Sequence, residues 1–314
     1  MGAKAIEVRD LKKIYRERSS KPVLALDGLS LDVAQGELVG LLGPNGAGKS
    51  TLIKILSTLT EPTSGTALVN GFDVATQPFD TRKSIAVVLQ TSSADLFLSV
   101  WDNFVSYGLF QGLTLAESRR KAAEAVEMFD LDEYVKTKCQ DLSGGYKRRV
   151  QTAKAFLADT PVLFLDEAST GMDAVIRRRV VDLIRSQTRA GRTILLTTQV
   201  LSEAEELCDR VAIIDRGRLK ALGDVPALKR MARDAYDVTL TFDEIPPEML
   251  DFFARTEVVR CEQVGSALEL SVRAGEAKIL ELIGEAARRW PLVHFEVTGA
   301  SLEDVFVDIL SRED

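Results

Sequence analysis

One eight-residue segment constrains the fold of this chain more than any other. Gly43-Pro44-Asn45-Gly46-Ala47-Gly48-Lys49-Ser50 matches the pattern G-x-x-x-x-G-K-[ST], and Thr51 follows it directly. This phosphate loop lies between an apolar run at 37–42 and a segment with helical spacing at 50–59. Its glycines let backbone N–H groups turn toward phosphate oxygens, while Lys49 and the helix N-terminus add positive potential. The sequence therefore predicts a nucleotide phosphate site with the Ser50 hydroxyl on Mg²⁺; an incidental glycine-rich turn is the alternative.

Apolar runs alternate with helical segments through residues 1–230, which indicates a mostly parallel α/β sheet around the phosphate loop. Residues from about 92 to 158 are predicted to form a helical insertion in this domain. Residues 231–314 change in pattern to strands and helices in the order β-α-β-β-α-β-α, which predicts a small ferredoxin-like accessory domain. The predicted strands of the first domain are 6–8, 29–33, 37–42, 84–89, 162–165, 193–197 and 211–214.

Charge and cysteine content exclude several classes of protein. The chain has 40 Lys and Arg against 47 Asp and Glu, a net charge of -7, and so lacks the positive field of a nucleic-acid-binding protein. The basic runs 147–149 and 177–179 are predicted to be solvated helix faces. Three cysteines without C-x-x-C spacing predict neither a disulfide framework nor a zinc site. With no signal peptide or spanning helix in the pattern, we expect a soluble protein whose membrane role depends on a partner.

A second motif ends in two carboxylates. The apolar segment 162–165 runs directly into Asp166 and Glu167. In phosphate-loop enzymes such a pair serves Mg²⁺ and the attacking water. We expect Asp166 to hold Mg²⁺ through water and Glu167 to polarise the water that attacks phosphate; two surface acids after a core strand are the alternative.

Upstream of this strand stands Leu142-Ser143-Gly144-Gly145-Tyr146, and with it the sequence resembles the ATP-binding cassette family over about residues 6–223. The resemblance implies functional positions that would each be weak alone. Tyr15 matches the aromatic that stacks on adenine, although aromatic residues more often pack in a core. Gln90 matches the glutamine after the third core strand, counted with the Mg²⁺ ligands. Asp173 and Gln199 match the D-loop aspartate and the switch position.

The resemblance also implies a head-to-tail homodimer that binds ATP and Mg²⁺. Ser143, Gly144 and Gly145 of one copy are expected to contact the ATP held by the phosphate loop of the other. Loss of the γ-phosphate contacts on hydrolysis would reopen the dimer, and this closing and opening is the mechanical output. The closed state therefore depends on nucleotide.

Three departures from the family pattern stand out. Gln199 replaces a histidine that contacts the γ-phosphate, Tyr146 replaces a glutamine, and Ala168 replaces a proline. An amide still donates a hydrogen bond, but it does not take up a proton or carry a positive charge at neutral pH. The chain's single histidine, His294, lies far outside the cassette and is expected to be an ordinary strand residue.

Gln199 and the closing segment 300–306 resemble the drug-exporter branch, similar to daunorubicin-resistance ATPase subunits. This branch implies a peripheral protein on the cytoplasmic face of the plasma membrane, working with a separately encoded membrane permease. An ATP-sensing regulatory module with little hydrolysis, an importer subunit, and a cassette acting on DNA or ribosomes are the alternatives. The cargo is not encoded in this chain, because it would contact the permease.

Overall fold

The computed structural model describes residues 3–16, 21–90, 94–231, 235–254, 256, 258–299 and 301–311. The chain divides into two compact units, Met1–Leu222 and Gly223–Asp314. The domain boundary predicted at residue 230 falls inside a short helix of the second unit, Val225–Met231.

The first unit contains two sheets and seven α-helices within the described residues. Its strands are β1 (Lys4–Tyr15), β2 (Val23–Ala34), β3 (Leu38–Leu42), β4 (Ser64–Val69), β5 (Phe72–Asp73), β6 (Ile85–Val88), β7 (Val162–Asp166), β8 (Thr193–Thr197), β9 (Arg210–Asp215) and β10 (Arg218–Gly223). Its helices are α1 (Lys49–Leu56), α2 (Pro78–Lys83), α3 (Val100–Phe110), α4 (Leu115–Met128), α5 (Gly144–Leu157), α6 (Ala174–Arg189) and α7 (Leu201–Leu207). The predicted phosphate-loop α/β class is confirmed.

The central sheet has the order β10-β9-β3-β8-β7-β6. β3 pairs in parallel with β8 and β9, and β7 pairs in parallel with β6 and β8. Every residue of β3, β7 and β8 is buried, which explains their continuous apolar sequences. Because carboxyl ends of parallel strands share one edge of a sheet, the segments after β3, β6, β7 and β8 converge there.

The second sheet is antiparallel, in the order β2-β1-β4-β5. β1 and β2 each extend over 12 residues, well beyond the short segments that alternation predicts. Register shifts in the β1–β2 pairing interrupt the alternation, and Asp10 adopts a positive φ of 44°. The two sheets and α1 share one apolar core.

The predicted helical insertion is present in the described part of its range, as α3, α4 and α5; its expected start at residue 92 lies outside the described residues. Phe104 and Phe129 are fully buried in this region. Thr114 and Glu117 form a reciprocal capping box at the start of α4. None of the helices in the described ranges is long and apolar enough to cross a membrane.

The elements of the second unit are α8 (Val225–Met231), β11 (Ala235–Phe242), α9 (Pro247–Ala254), β12 (Val258–Val264), β13 (Ala267–Arg273), α10 (Glu276–Arg289), β14 (Leu292–Gly299) and α11 (Leu302–Ser311). Within the described residues its strands form one four-stranded antiparallel sheet, in the order β12-β13-β11-β14. This order and the alternation of strands and helices agree with the predicted ferredoxin-like topology. Its core has apolar residues from the sheet and from helices α9 and α10, including Leu240, Phe253 and Ile283.

The prediction that residues 147–149 form a solvated helix face is wrong. The side chain of Arg148 is buried on α5, and that of Arg149 is only 11% exposed. Arg148 donates to backbone oxygens of Asp166 and Glu167, and Arg149 pairs with Asp173; a local charge pattern does not reveal these partners. In the second basic run, Arg178 and Arg179 are exposed, as predicted.

Candidate functional site

The phosphate loop connects β3 to α1, as predicted. Lys49 is buried at the first position of α1, and its Nζ donates to the backbone oxygens of Gly43 at 2.5 Å and Pro44 at 3.0 Å. Burial lowers the pKa of Lys49, while the carboxylates of Glu167 and Asp166 act in the opposite direction. The loop therefore holds its ammonium group in place with its own carbonyl groups.

Two glycines of the loop are required by close backbone contacts. A Cβ atom on Gly43 would lie 2.2 Å from the Ile214 oxygen, and one on Gly48 would lie 2.6 Å from the Ala25 oxygen. Gly48 also has a φ of 110° and immediately precedes α1. Asn45 and Gly46 are exposed at the loop tip. The loop is thus packed firmly at its two ends and open in the middle, where phosphate would bind.

The carboxylate of Asp166 closes β7 at the same edge of the sheet. Asp166 is buried, and its Oδ1 accepts a 2.6 Å hydrogen bond from the Thr197 hydroxyl. The next residue, Glu167, has a φ of 54°, and its N–H donates to the Thr197 oxygen and hydroxyl. The end of β8 therefore fixes the turn that presents both acids.

Glu167 is the point at which three of the expected side chains meet. Its Oε1 accepts from Nε2 of Gln199 at 2.7 Å, and its Oε2 accepts from Nε2 of Gln90 at 3.3 Å. Glu167 is 8% exposed, whereas both glutamines are exposed. Two amides thus orient one buried carboxylate toward the open edge of the sheet. The spacing of these residues in sequence, 77 and 32 positions, gives no hint of this contact.

Arg148 holds the backbone of the same turn by hydrogen bonds, a role that the sequence did not predict. Its Nη2 donates to the Asp166 and Glu167 oxygens at 2.5 and 2.6 Å, and its Nη1 donates to the Leu89 oxygen at 2.6 Å. Burial lowers the pKa of Arg148, and the nearby acids oppose that shift. One guanidinium group therefore joins α5, whose first residues belong to the segment 142–146 (the signature segment), to the residue before Gln90 and to the paired acids.

A second polar cluster that the sequence reasoning missed surrounds Glu203 on α7. Glu203 is buried and accepts from the hydroxyls of Ser169 at 3.0 Å and Thr198 at 2.9 Å. Ser169 follows Glu167 by two residues, and Thr198 precedes Gln199. The cluster therefore ties together the two segments that carry the Glu167–Gln199 hydrogen bond.

The signature segment lies at the start of a 14-residue helix. Ser143 is the N-cap of α5 and, like Gly144, is exposed. Gly145 packs closely against the backbone of Gly171, at 3.1 Å from where its Cβ would lie. The N-terminus of α5 is thus a solvent-facing group of N–H donors suited to an anion.

Tyr146, the unusual residue of the signature, packs beside the ring of Tyr134 with centroids 4.2 Å apart. The guanidinium of Arg149 lies over the Tyr146 ring and also pairs with Asp173 at 2.5 Å. Asp173 caps α6 by accepting from Val175 and Ile176, and these N–H groups together with Arg149 lower its pKa. Arg149 therefore couples the signature helix to the expected D-loop position.

Tyr15 closes β1 with 36% of its surface exposed, and Lys13 lies over its ring at 5.0 Å. The alternative that Tyr15 is a core aromatic is wrong. Ser50 and Thr51 are half-buried on the first turn of α1.

The donors expected for Mg²⁺ are a hydroxyl on Ser50, a carboxylate on Asp166 and an amide oxygen on Gln90, all hard oxygen ligands that this ion accepts. In the part of the chain that the structure describes, no group of three or more His, Cys, Asp or Glu side chains is arranged to hold a metal ion. The residues present fit a cation that receives its remaining ligands from phosphate and water.

Comparison with known proteins places these features in context. Residues 26–170 match the family model described as ABC transporter. The chain is 41% identical over 246 residues to the doxorubicin resistance ATP-binding protein DrrA of Mycobacterium tuberculosis, covering 78% of this chain and 72% of that protein. It is 35% identical over 317 residues to the Nod factor export ATP-binding protein I of Burkholderia pseudomallei, covering 100% and 99%.

Among solved structures, the chain resembles the ATP-binding subunit of an ABC transporter with a TM-score of 0.66 and 30% identity. That match covers 72% of this chain and 92% of the other.

Proposed function

The chain is an ATP-binding subunit, and so an ATPase, of the ABC transporter family, in its drug-exporter branch. From that premise we propose that it powers export through a separate permease. In this proposal two copies form a head-to-tail dimer around two Mg-ATP molecules at the cytoplasmic face of the plasma membrane. The observation that carries the proposal is the buried carboxylate of Glu167, held by the amides of Gln90 and Gln199 at the edge that also carries the phosphate loop.

The proposed hydrolysis assigns a separate task to each group. Lys49 and the loop N–H groups from Gly43 to Gly48 would bind the phosphates. Mg²⁺, when bound by Ser50, Asp166 and Gln90, would neutralise charge on the phosphate oxygens. Glu167 would accept the hydrogen bond of the attacking water, and its turn is fixed before nucleotide arrives, because Thr197 and Arg148 hold the backbone.

Dimer formation is supported by the exposure of the signature segment. Ser143 and Gly144 present the positive end of α5 to solvent, and a helix of this length provides an effective anion site. We propose that Ser143, Gly144 and Gly145 contact the γ-phosphate held by the partner copy, with Asp173 nearby in the interface. Tyr15 would stack on adenine from its exposed place at the end of β1.

We expect a permease to dock on the segment from about Gln90 through Tyr107, which carries the apolar residues Leu96, Phe97 and Trp101; packing within the helical insertion is the alternative for Trp101, which is half-buried. Leu96 is 43% exposed and Phe97 is 76% exposed. Two exposed apolar side chains six and seven residues after Gln90, an expected Mg²⁺ ligand, suit a short helix of a membrane partner. This placement would make docking sensitive to the state of the nucleotide.

The branch also suggests the cargo class. One relative is named for doxorubicin resistance and another for Nod factor export. We propose that the permease partner carries a hydrophobic or amphipathic compound outward.

The second candidate function is ATP sensing with little hydrolysis. Gln199 favours it, because its amide donates a 2.7 Å hydrogen bond to Glu167 and does not ionise.

The substitution Glu167→Gln tests hydrolysis directly. It keeps the side-chain volume but removes the carboxylate, so we expect ATP to remain bound while its cleavage in a single turnover falls by roughly 10²-fold or more. Glu61→Gln, at an exposed loop position, is the matched control. Equal single-turnover rates for wild type and Glu167→Gln would contradict the role of Glu167. A wild-type rate near zero, with tight ATP binding and the permease present, would favour the sensing function.

A further inference from the structure

Glu203 is a buried acid at a position where an exposed one is expected. It is the third residue of α7, a helix of seven residues, yet it is only 8% exposed. An acid in the first turn of a helix ordinarily faces solvent and interacts with the free N–H groups there. The carboxylate of Glu203 instead accepts hydrogen bonds from the hydroxyls of Ser169 at 3.0 Å and Thr198 at 2.9 Å. Because a buried charged group is costly without such partners, Glu203 depends on both hydroxyls.

The two hydroxyls belong to the segments that carry the expected catalytic groups. Ser169 lies two residues after Glu167, in the segment that leaves β7, and Thr198 lies one residue before Gln199, in the segment that leaves β8. A single oxygen of Glu203, Oε2, accepts from both hydroxyls. The same two segments are joined by the 2.7 Å hydrogen bond from Gln199 to Glu167. Glu203 therefore fixes the separation of two segments whose side chains meet in that bond.

A small cavity beside Glu203 reduces the side-chain packing of these two segments. It is lined by the three hydrogen-bonded residues and by apolar side chains of β7, β8 and α6, among them Leu165, Leu196 and Val180. Atoms that line a cavity lose the van der Waals contacts that would otherwise hold them in place. The positions of Ser169 and Thr198 therefore depend strongly on their hydrogen bonds to Glu203.

We propose that Glu203 is a positioning residue for ATP hydrolysis, which places the Gln199 amide against the Glu167 carboxylate by holding Ser169 and Thr198. In this role Glu203 contacts neither the phosphate nor the attacking water, and it acts through the Glu167–Gln199 hydrogen bond. The inference rests on the proposed function, which assigns the attacking water to Glu167. The property of Glu203 that matters is its reach, because its side chain is long enough to join both hydroxyls at once.

Three substitutions separate the reach of this side chain from its charge. Glu203→Gln keeps the length, so its amide oxygen can accept from Thr198 while its amide nitrogen donates to the Ser169 hydroxyl. Glu203→Asp keeps the charge, but it is one methylene shorter and does not reach both hydroxyls in the observed geometry. Glu203→Ala removes both hydrogen bonds.

The measurement is the rate of ATP cleavage in a single turnover by the full-length protein with the permease, together with the Kd for ATP. We expect Glu203→Gln to stay within about three-fold of the wild-type rate, and Glu203→Asp and Glu203→Ala to lose roughly ten-fold, with the Kd nearly unchanged in all three. Glu206→Gln is the matched control on the same helix, because it removes only ion pairs with Arg178 and Arg185.

Three outcomes would overturn the inference. If Glu203→Asp kept the wild-type rate while Glu203→Gln lost it, charge and not reach would be the property that matters. If each fall in rate came with an equal fall in ATP affinity, Glu203 would only stabilise the fold. If all three variants cleaved ATP at the wild-type rate, Glu203 would have no part in hydrolysis.

A double-mutant cycle tests whether Glu203 acts through Gln199. Glu203→Asp combined with Gln199→Ala is expected to lose about as much rate as Gln199→Ala alone, roughly ten-fold, because the hydrogen bond that Glu203 positions is already absent. Independent effects would multiply to roughly 100-fold, which would overturn the inference and leave the proposed role of Glu167 intact. A neutral Gln199→Ala variant would instead contradict the role of Gln199 in the proposed function, and the inference would fall with it.

Discussion

Gln199 offers the sharpest test of the proposed chemistry, because it replaces the histidine of the family pattern and contacts Glu167 directly. Its amide donates a 2.7 Å hydrogen bond to a carboxylate that is 8% exposed. Hydrogen bonds to charged groups contribute ~1.5–3 kcal/mol. Gln199 itself is exposed, so solvent screening places this bond at the low end of that range. We propose that this bond also positions Glu167 in the transition state, where losing about 1.4 kcal/mol costs a factor of ten in rate, so Gln199→Ala is expected to lower kcat by roughly ten-fold.

The assay is steady-state ATP hydrolysis with the permease present, measured across pH. Because an amide does not titrate, the wild-type rate is expected to lack an imidazole transition between about pH 6 and 7 arising from this position. Gln199→His is expected to change the rate only modestly, and any gain in rate is expected to fade as the imidazole titrates. Gln263→Ala, in the second unit, is the control. A neutral alanine variant together with a strongly revived histidine variant would refute the reasoning and favour an ATP sensor.

Three further predictions follow from contacts outside the Glu167–Gln199 pair. Arg148→Lys retains the charge but loses the forked guanidinium that binds three carbonyl oxygens. We therefore expect kcat to fall at least ten-fold while the affinity for ATP stays nearly unchanged; an equal loss of kcat and of ATP affinity would indicate misfolding. Phe97→Glu is expected to abolish co-purification with the permease while leaving ATP binding intact, whereas Phe110→Glu, at a residue that is 88% exposed, serves as the control. Removal of residues after 230 is expected to leave a cassette that binds ATP with near wild-type affinity; an insoluble product would show that the second unit is needed for folding.

Local sequence patterns predicted the strands whose residues are buried without interruption. β3, β7 and β8 are buried at every residue, so their sequences are continuously apolar and easily recognised. β4 and β5 were missed because Ser64–Val69 is exposed in half of its residues and Phe72–Asp73 has only two. The full length of β1 was hidden by register shifts. Alternation detects a strand only where one face stays buried without interruption.

In the candidate site, too, the contiguous motifs could be predicted from the sequence, whereas the contacts between distant residues could not. The phosphate loop and the Asp166–Glu167 pair are contiguous in sequence and were predicted as motifs. The contacts of Glu167 with Gln90 and Gln199 arise because β6, β7 and β8 are parallel neighbours in register, which no local pattern contains. The role of Glu203 was invisible for the same reason, since an acid on a short helix is ordinarily solvated.

Arg148 connects three parts of the candidate site through its hydrogen bonds. Its guanidinium binds the Leu89 oxygen next to Gln90 and the backbone of both paired acids, while its own helix begins at Ser143. A buried guanidinium left without these acceptors would retain its desolvation cost, so the three contacts are maintained together or lost together. A partner copy that pulls on the N-terminus of α5 would therefore act on the turn that carries Glu167. In the proposed function, the contact of Arg148 with the Leu89 oxygen, next to Gln90, would let a permease docked after Gln90 act on the turn that carries Glu167.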